Sequence, residues 1–173
     1  MSAVIPEAWG PELENDPEDN PCWACGPKNP LGLRMRFFDD GDRVRSALTL
    51  DDRYSGYSGS VLQGVLYSAM DDSIFWCAYA RFGIMGTNVG DPMITYPGAI
   101  RTRAEFVVES WRDAEDPSLY HAACMQEGQT RAAMRWHMRP WSPDELAAAL
   151  ANSHIPRSIR AEARRALGQS APP

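Results

Sequence analysis

Apolar positions along the chain change period several times, and each change marks an element. In LGLRMRFF, Leu33, Met35 and Phe37 alternate with Arg34 and Arg36, the period-two pattern of a strand with one buried face. RVRSALTL repeats the alternation after the turn DDGD, so these two runs are expected to pair as a hairpin. Between Gly64 and Phe82 there is no Gly or Pro, and the run is apolar nearly all round over about five turns. A helix of that kind should be wrapped by other elements. Three more strands are expected. IRTRAEFVVESW places Thr102, Ala104, Phe106 and Val108 on one face, SLYHAACMQE follows, and TRAAMRWHM groups Met134, Trp136 and Met138. EGQT is the turn between the last two. Their other faces carry Arg101, Arg103, Glu105, Arg131, Arg135 and His137, as on a solvated or subunit-facing sheet surface. After Pro140 the helical period returns, in SPDELAAAL capped by Ser142 and then in IPRSIRAEARRALG.

The order predicts an α+β domain in which an antiparallel sheet wraps one long helix. Residues 1–20, rich in Pro, Glu, Asp and Asn and without a period, are expected to form an extended arm; residues 21–140 form the domain and 141–173 a helical extension. At 173 residues and 44% hydrophobic composition, one core needs no metal or disulfide to hold it. A net charge of -6 provides no broad basic field for a phosphate backbone, which argues against nucleic acid. The N-terminus lacks a charged segment followed by a continuous apolar run, and apolar stretches elsewhere are interrupted by Asp or Arg. No membrane association is expected, and the chain reads as cytoplasmic. Of the cysteines Cys22, Cys25, Cys77 and Cys124, only the CWAC pair is closely spaced. A four-ligand zinc site wants a second close pair, so reduced thiols and no metal or cofactor are expected.

Two motifs compete for the chemistry. GYSGS at Gly56–Ser60 approaches the GxSxG of a nucleophile elbow, with Ser58 as nucleophile. It lacks a preceding apolar strand and has Ser60 in place of the last glycine, and His121, His137 and His154 come with no supporting motif. The second motif is Asp71-Asp72, in the middle of an apolar helix beside Ala69, Met70, Ile74, Phe75 and Trp76. Burying ionised carboxylates without partners costs several kcal/mol, on the order of what a whole domain can spare. Adjacent helix positions point about 100° apart, so the two cannot share one environment: one can face a site and the other a subunit boundary or solvent.

CWACGPKNPLGLRMRF at Cys22–Phe37, followed by YSGYSGSVLQGVLYSAMDD at Tyr54–Asp72, resembles the PaaI-like branch of the hotdog-fold acyl-CoA thioesterases, in which CxxCGxxNPxGL precedes GYPGxxHGGxxxxxxD. The likeness spans roughly residues 21–139. It implies a long helix held in an antiparallel sheet and completed by dimerisation, as a homodimer or homotetramer. It also implies an acyl thioester substrate carried on coenzyme A or on acyl-carrier protein. On the matched positions, Asp71 takes the catalytic acid, acting as general base or nucleophile, and Gln63 and Gly64 supply an oxyanion site at the helix start. Leu62, Tyr67, Ser68 and Phe75 are then expected to line the substrate site. Leu62 stands where the family has His and Gln63 where it has the first Gly, so one oxyanion hydrogen bond of the family is missing. The implied activity is thioester hydrolysis; a dehydratase or biosynthetic enzyme on the same fold, or a non-catalytic acyl-thioester binder, is the alternative. Arg157, Arg160, Arg164 and Arg165, on roughly one side of the last helix, read as a solvated face or as a landing patch for coenzyme A phosphates or an acidic carrier.

Overall fold

The computed structural model describes residues 9–15, 19–57, 59–152, 155 and 157–169. Ser58, His154 and most of the expected arm lie outside these residues. The elements are β1 (Phe38–Asp39), β2 (Val44–Thr49), a 3-10 turn (Asp52–Tyr54), β3 (Ser55–Tyr57), β4 (Ser60–Val61), α1 (Gln63–Phe82), β5 (Gly86–Thr95), β6 (Glu105–Arg112), β7 (Leu119–Gln126), β8 (Gln129–Pro140), α2 (Pro143–Ala151) and α3 (Arg157–Ala166). A six-stranded antiparallel sheet, in the order β1-β2-β6-β7-β8-β5, packs against α1, and β3 pairs with β4.

The helix is seated by small and apolar residues. Ala69, Met70, Ile74, Cys77 and Ala78 are buried against Phe106 and Val108 of β6, Tyr120 and Cys124 of β7 and Met134 of β8. Ser73 and Ser110 close the polar seam between α1 and β6. The Ser73 hydroxyl donates to Ser110 Oγ (2.9 Å) and Ser110 donates to the Ser73 carbonyl (2.8 Å), so neither buried oxygen is left unmet. Gly83 ends the helix at φ +64°, its N–H turned back on the carbonyls of Ala78 and Tyr79. Contrary to the expectation of burial all round, Asp71 and Asp72 are partly buried and Gln63 and Gly64 at the helix start are exposed.

Three expectations about strands change. The first hairpin is only two residue pairs long, Phe38 with Arg45 and Asp39 with Val44. Leu33, Met35 and Phe37 are buried as the alternation predicts, but Arg34 sits at φ +52° and breaks the strand. Their backbone is held by loops instead, with Leu33 N–H on Trp23 O (2.9 Å) and Met35 N–H on Ala24 O (3.0 Å). Second, β6 begins only at Glu105, because Arg103 turns the chain at φ +60°. Third, GTNVGDPMIT forms β5, which the period reading does not find. Gly90, at φ +71°, and Pro92 interrupt its alternation, and its pairing with β8 shifts between Val89 and Met93. Both residues are tolerated because β5 is an edge strand with no ladder on its outer side.

The C-terminal helices α2 and α3 form where the helical period returns. Ser142 and Glu145 form a reciprocal capping box at the start of α2. Leu146, Ile159 and Ala163 pack on Met85 just beyond the end of α1. No helix among the described residues is long and apolar enough to cross a membrane.

Candidate functional site

Asp71 faces the edge of the sheet. Its Oδ1 accepts a 2.5 Å hydrogen bond from Asn88 Nδ2, on β5. Burial pushes the Asp71 carboxyl above its ordinary range; the Asn88 donor opposes this, and the negative charge of Cys22 adds to it. A carboxylate poised this way holds a proton more readily than a solvated one, which suits a general base. Tyr67, one turn earlier, packs edge-on against Trp136 at 6.0 Å. Its hydroxyl is pushed above the usual range by burial and then by the Asp71 charge, which puts the two groups in one electrostatic neighbourhood. The Ser68 hydroxyl donates to the Gly64 carbonyl at 3.0 Å, which leaves it only as an acceptor toward a ligand.

A second feature opens at the start of α1. Leu62 is the N-cap residue and supplies no side-chain cap, and the first turn carries no acidic residue. The first amides, those of Gln63 and Gly64, therefore keep their donor capacity and the positive end of the helix dipole is not neutralised. A side chain built at Gly64 would meet nothing within 4 Å. Gln63 borders a cleft of about 600 Å³ lined also by Gly56, Tyr57, Leu62, Leu66 and Tyr96, among others. Tyr96 donates to the Gln63 carbonyl at 3.4 Å, which fixes one wall. The cleft does not reach Asp71, and Phe75 belongs elsewhere again, stacked on Tyr79 (6.0 Å) toward the α2–α3 extension. The expected site residues thus fall in three places along one helix.

Solved structures share this architecture. Thioesterase superfamily protein RHA08564 superposes with a TM-score of 0.62 at 18% identity, over 70% of this chain and 61% of that protein's length. The chain has the fold of these proteins, the hotdog fold. The PaaI protein of E. coli, from the phenylacetic acid degradation operon, matches at 0.55 and 13% identity over 64% of this chain and 81% of its own. The smu.793 protein of Streptococcus mutans, solved with acetyl CoA bound, matches at 0.52 and 12% identity over 58% and 82%. No sequence-family model and no curated protein matches the chain.

Within the hotdog framework Asp72 points away from Asp71, into the loop that carries the CWAC pair. Its Oδ1 lies 3.7 Å from Cys22 Sγ, while its Oδ2 is buried without a hydrogen-bond partner among the described residues. Burial first, then the charge of Cys22, raises the Asp72 carboxyl well above its usual range. Cys22 moves the other way, to about 5, chiefly because the Cys25 thiol donates to it. The sequence reading dismissed CWAC for want of a second close pair; the fold supplies a third donor from 50 residues away.

The serine reading gains nothing. His121 binds Asp113 at 2.9 Å and stacks on Trp111 at 5.3 Å, and it does not line the cleft. Ser118, Asp116 and His137 do meet, but on an exposed turn and with serine and carboxylate both at the Nδ1 side of the ring, so no relay can run through the imidazole. The arginine patch is largely committed: Arg160 (3.0 Å) and Arg157 (3.6 Å) contact Asp19, and Arg165 pairs with Glu162. Sequence reasoning missed Asn88, because it sits on β5, a strand that periodicity did not reveal.

Proposed function

We infer that the protein hydrolyses an acyl thioester, with Asp71 as general base or nucleophile and the Gln63 and Gly64 amides as the oxyanion site. The observation that carries this reading is the coexistence of a half-buried Asp71, held by Asn88 and raised above the ordinary carboxylate range by burial, with an uncapped helix start that lacks competing acid. Hydrolysis needs an activated nucleophile and donors for the oxyanion, and these are the two parts. Coenzyme A as the carrier is supported by the hotdog structures of Streptococcus pneumoniae and Streptococcus mutans proteins solved with coenzyme A or acetyl CoA.

Gln63 and Asp71 lie eight residues apart on one helix, about 12 Å along its axis. Reacting groups must approach to about 3–3.5 Å, so one chain cannot bring both to the same carbonyl. A second copy can. Asp71 faces the free edge of β5, where Val89 and Met93 are exposed, and two such edges pairing about a two-fold axis would set Asp71 of one copy against the helix start of the other. The reading is therefore of an obligatory homodimer with two composite sites. Leu62 in place of the family histidine removes one oxyanion donor, which typically lowers turnover by about 10²- to 10³-fold without abolishing it.

The test is release of free thiol from short, medium, aromatic and branched acyl-CoAs by the wild type and by Asp71→Asn. Release by the wild type and its loss in the variant is the expected result. An altered acyl chain with the thioester intact would replace hydrolysis by proton-transfer chemistry at Asp71, and tight binding with no chemistry would make the protein an acyl-thioester carrier.

A further inference from the structure

The loop at residues 19–26 is built around sulfur. Asn20, 1% exposed, donates through Nδ2 to Cys25 Sγ (3.3 Å) and to Asn15 Oδ1 (2.7 Å), while its own Oδ1 accepts the Cys22 N–H at 2.9 Å. Asn15 in turn donates to the Cys25 carbonyl at 2.7 Å. Gly26 closes the turn onto the Cys22 carbonyl at 2.9 Å, and a Cβ there would come within 2.4 Å of that oxygen. The chain thus holds two sulfurs in one orientation by two linked carboxamides, that of Asn20 buried, and by a turn that only glycine fits.

The two sulfurs and one carboxylate oxygen of Asp72 all lie within 4.8 Å of one another. At a zinc ion with Zn–S bonds of about 2.3 Å, tetrahedral ligand atoms stand about 3.8 Å apart. The distance from Cys22 Sγ to Asp72 Oδ1 is already 3.7 Å. Independently, Asp72 Oδ2 is a buried carboxyl oxygen with no hydrogen-bond partner among the described residues, and a buried polar oxygen calls for a cation or a hydrogen bond.

We propose that Cys22, Cys25 and Asp72 form a three-ligand site for a thiophilic divalent cation, Zn²⁺, with the fourth position open to water. Two thiolates select Zn²⁺ over Mg²⁺ or Ca²⁺, which prefer oxygen. The open fourth position follows from the partly exposed Cys22, against a Cys25 that is buried. The Asn20 donor to Cys25 Sγ is the outer contact that orients the ligand. The ion would clamp the 19–26 loop to the middle of α1. No step of the proposed hydrolysis passes through it, so the two readings stand or fall separately.

Co²⁺ is the spectroscopic probe. The full-length chain, stripped of metal with chelator and shown by thiol titration to carry its cysteines reduced, is titrated with Co²⁺ and then with Zn²⁺. One equivalent of Co²⁺ should give a thiolate-to-metal charge-transfer band and intense tetrahedral d–d bands, both removed by one equivalent of Zn²⁺. Cys22→Ser and Asp72→Asn should each abolish or shift these bands, and Asn20→Ala should weaken Zn²⁺ binding by about 10- to 100-fold. Far-ultraviolet circular dichroism keeps loss of fold apart from loss of ligand. In the same chains Zn²⁺ should raise the unfolding temperature of the wild type and not of Asp72→Asn. Absence of the bands in the reduced wild type, or bands that survive both Cys22→Ser and Asp72→Asn unchanged, overturns the proposal.

Discussion

The two flanks of α1 carry the same side chain in consecutive positions and treat it in opposite ways. On one flank Asp71 meets a single amide on a strand with a free edge. On the other, Asp72 meets a closed loop of sulfur and carboxamide. Both carboxyls are raised by burial, yet Asp71 is left one compensating donor and an open side, while Asp72 keeps a buried oxygen unmet. The difference teaches that a carboxylate's chemistry is set by what packs on its side of the helix. The helix fixes only the angle between the two.

The sharpest way to break this comparison is Asp71→Asn, expected to lower thioester turnover by about 10²- to 10⁴-fold, the usual contribution of a positioned base. Because burial raises the Asp71 pKa, its charge weakens the fold as pH rises through the raised value; below the ordinary carboxylate range it contributes nothing. The variant should therefore unfold at an equal or higher temperature than wild type at neutral pH, with the advantage fading in acid. A loss of stability instead would make Asp71 a structural residue.

Next in size is the edge strand. Val89→Lys together with Met93→Lys should give a monomer by sedimentation and cost about 10²-fold in turnover if the site is shared between copies. A monomer with full activity would place both halves of the chemistry in one chain. Asn88→Ala acts on the pH profile. The amide favours the charged carboxylate, so its removal should move the rising limb of turnover to higher pH, measured on chelator-treated protein. A limb that stays in place would separate Asn88 from the base. The smallest effect lies away from both flanks: Ser142→Ala should cost about 0.5–2 kcal/mol by denaturant unfolding, through the α2 cap alone.

Much of this was legible without coordinates. Leu33, Met35 and Phe37 are buried as their alternation predicts, α1 starts one residue before the expected run, and Ser142 caps α2. These are local signals, carried by residues within one turn or one strand of each other. β5 escaped because Gly90 and Pro92 erase the alternation that an interior strand would keep, and with β5 went Asn88. The bond from the Ser68 hydroxyl to the Gly64 carbonyl is likewise invisible to pattern, since a serine at that position can equally point its donor at solvent.

What the sequence determined by itself was the set of periods: a helix too apolar to stand alone, strands with one buried face, and two carboxylates about 100° apart on that helix. What only the tertiary structure decided was the partner of each carboxylate. Asn88 reaches Asp71 from 17 positions away and Cys22 reaches Asp72 from 50, because antiparallel strands and a folded-back loop bring together residues that no local period relates. Local pattern follows from backbone geometry, which each residue carries with it; side-chain chemistry follows from desolvation and neighbours, which exist only once the chain has packed.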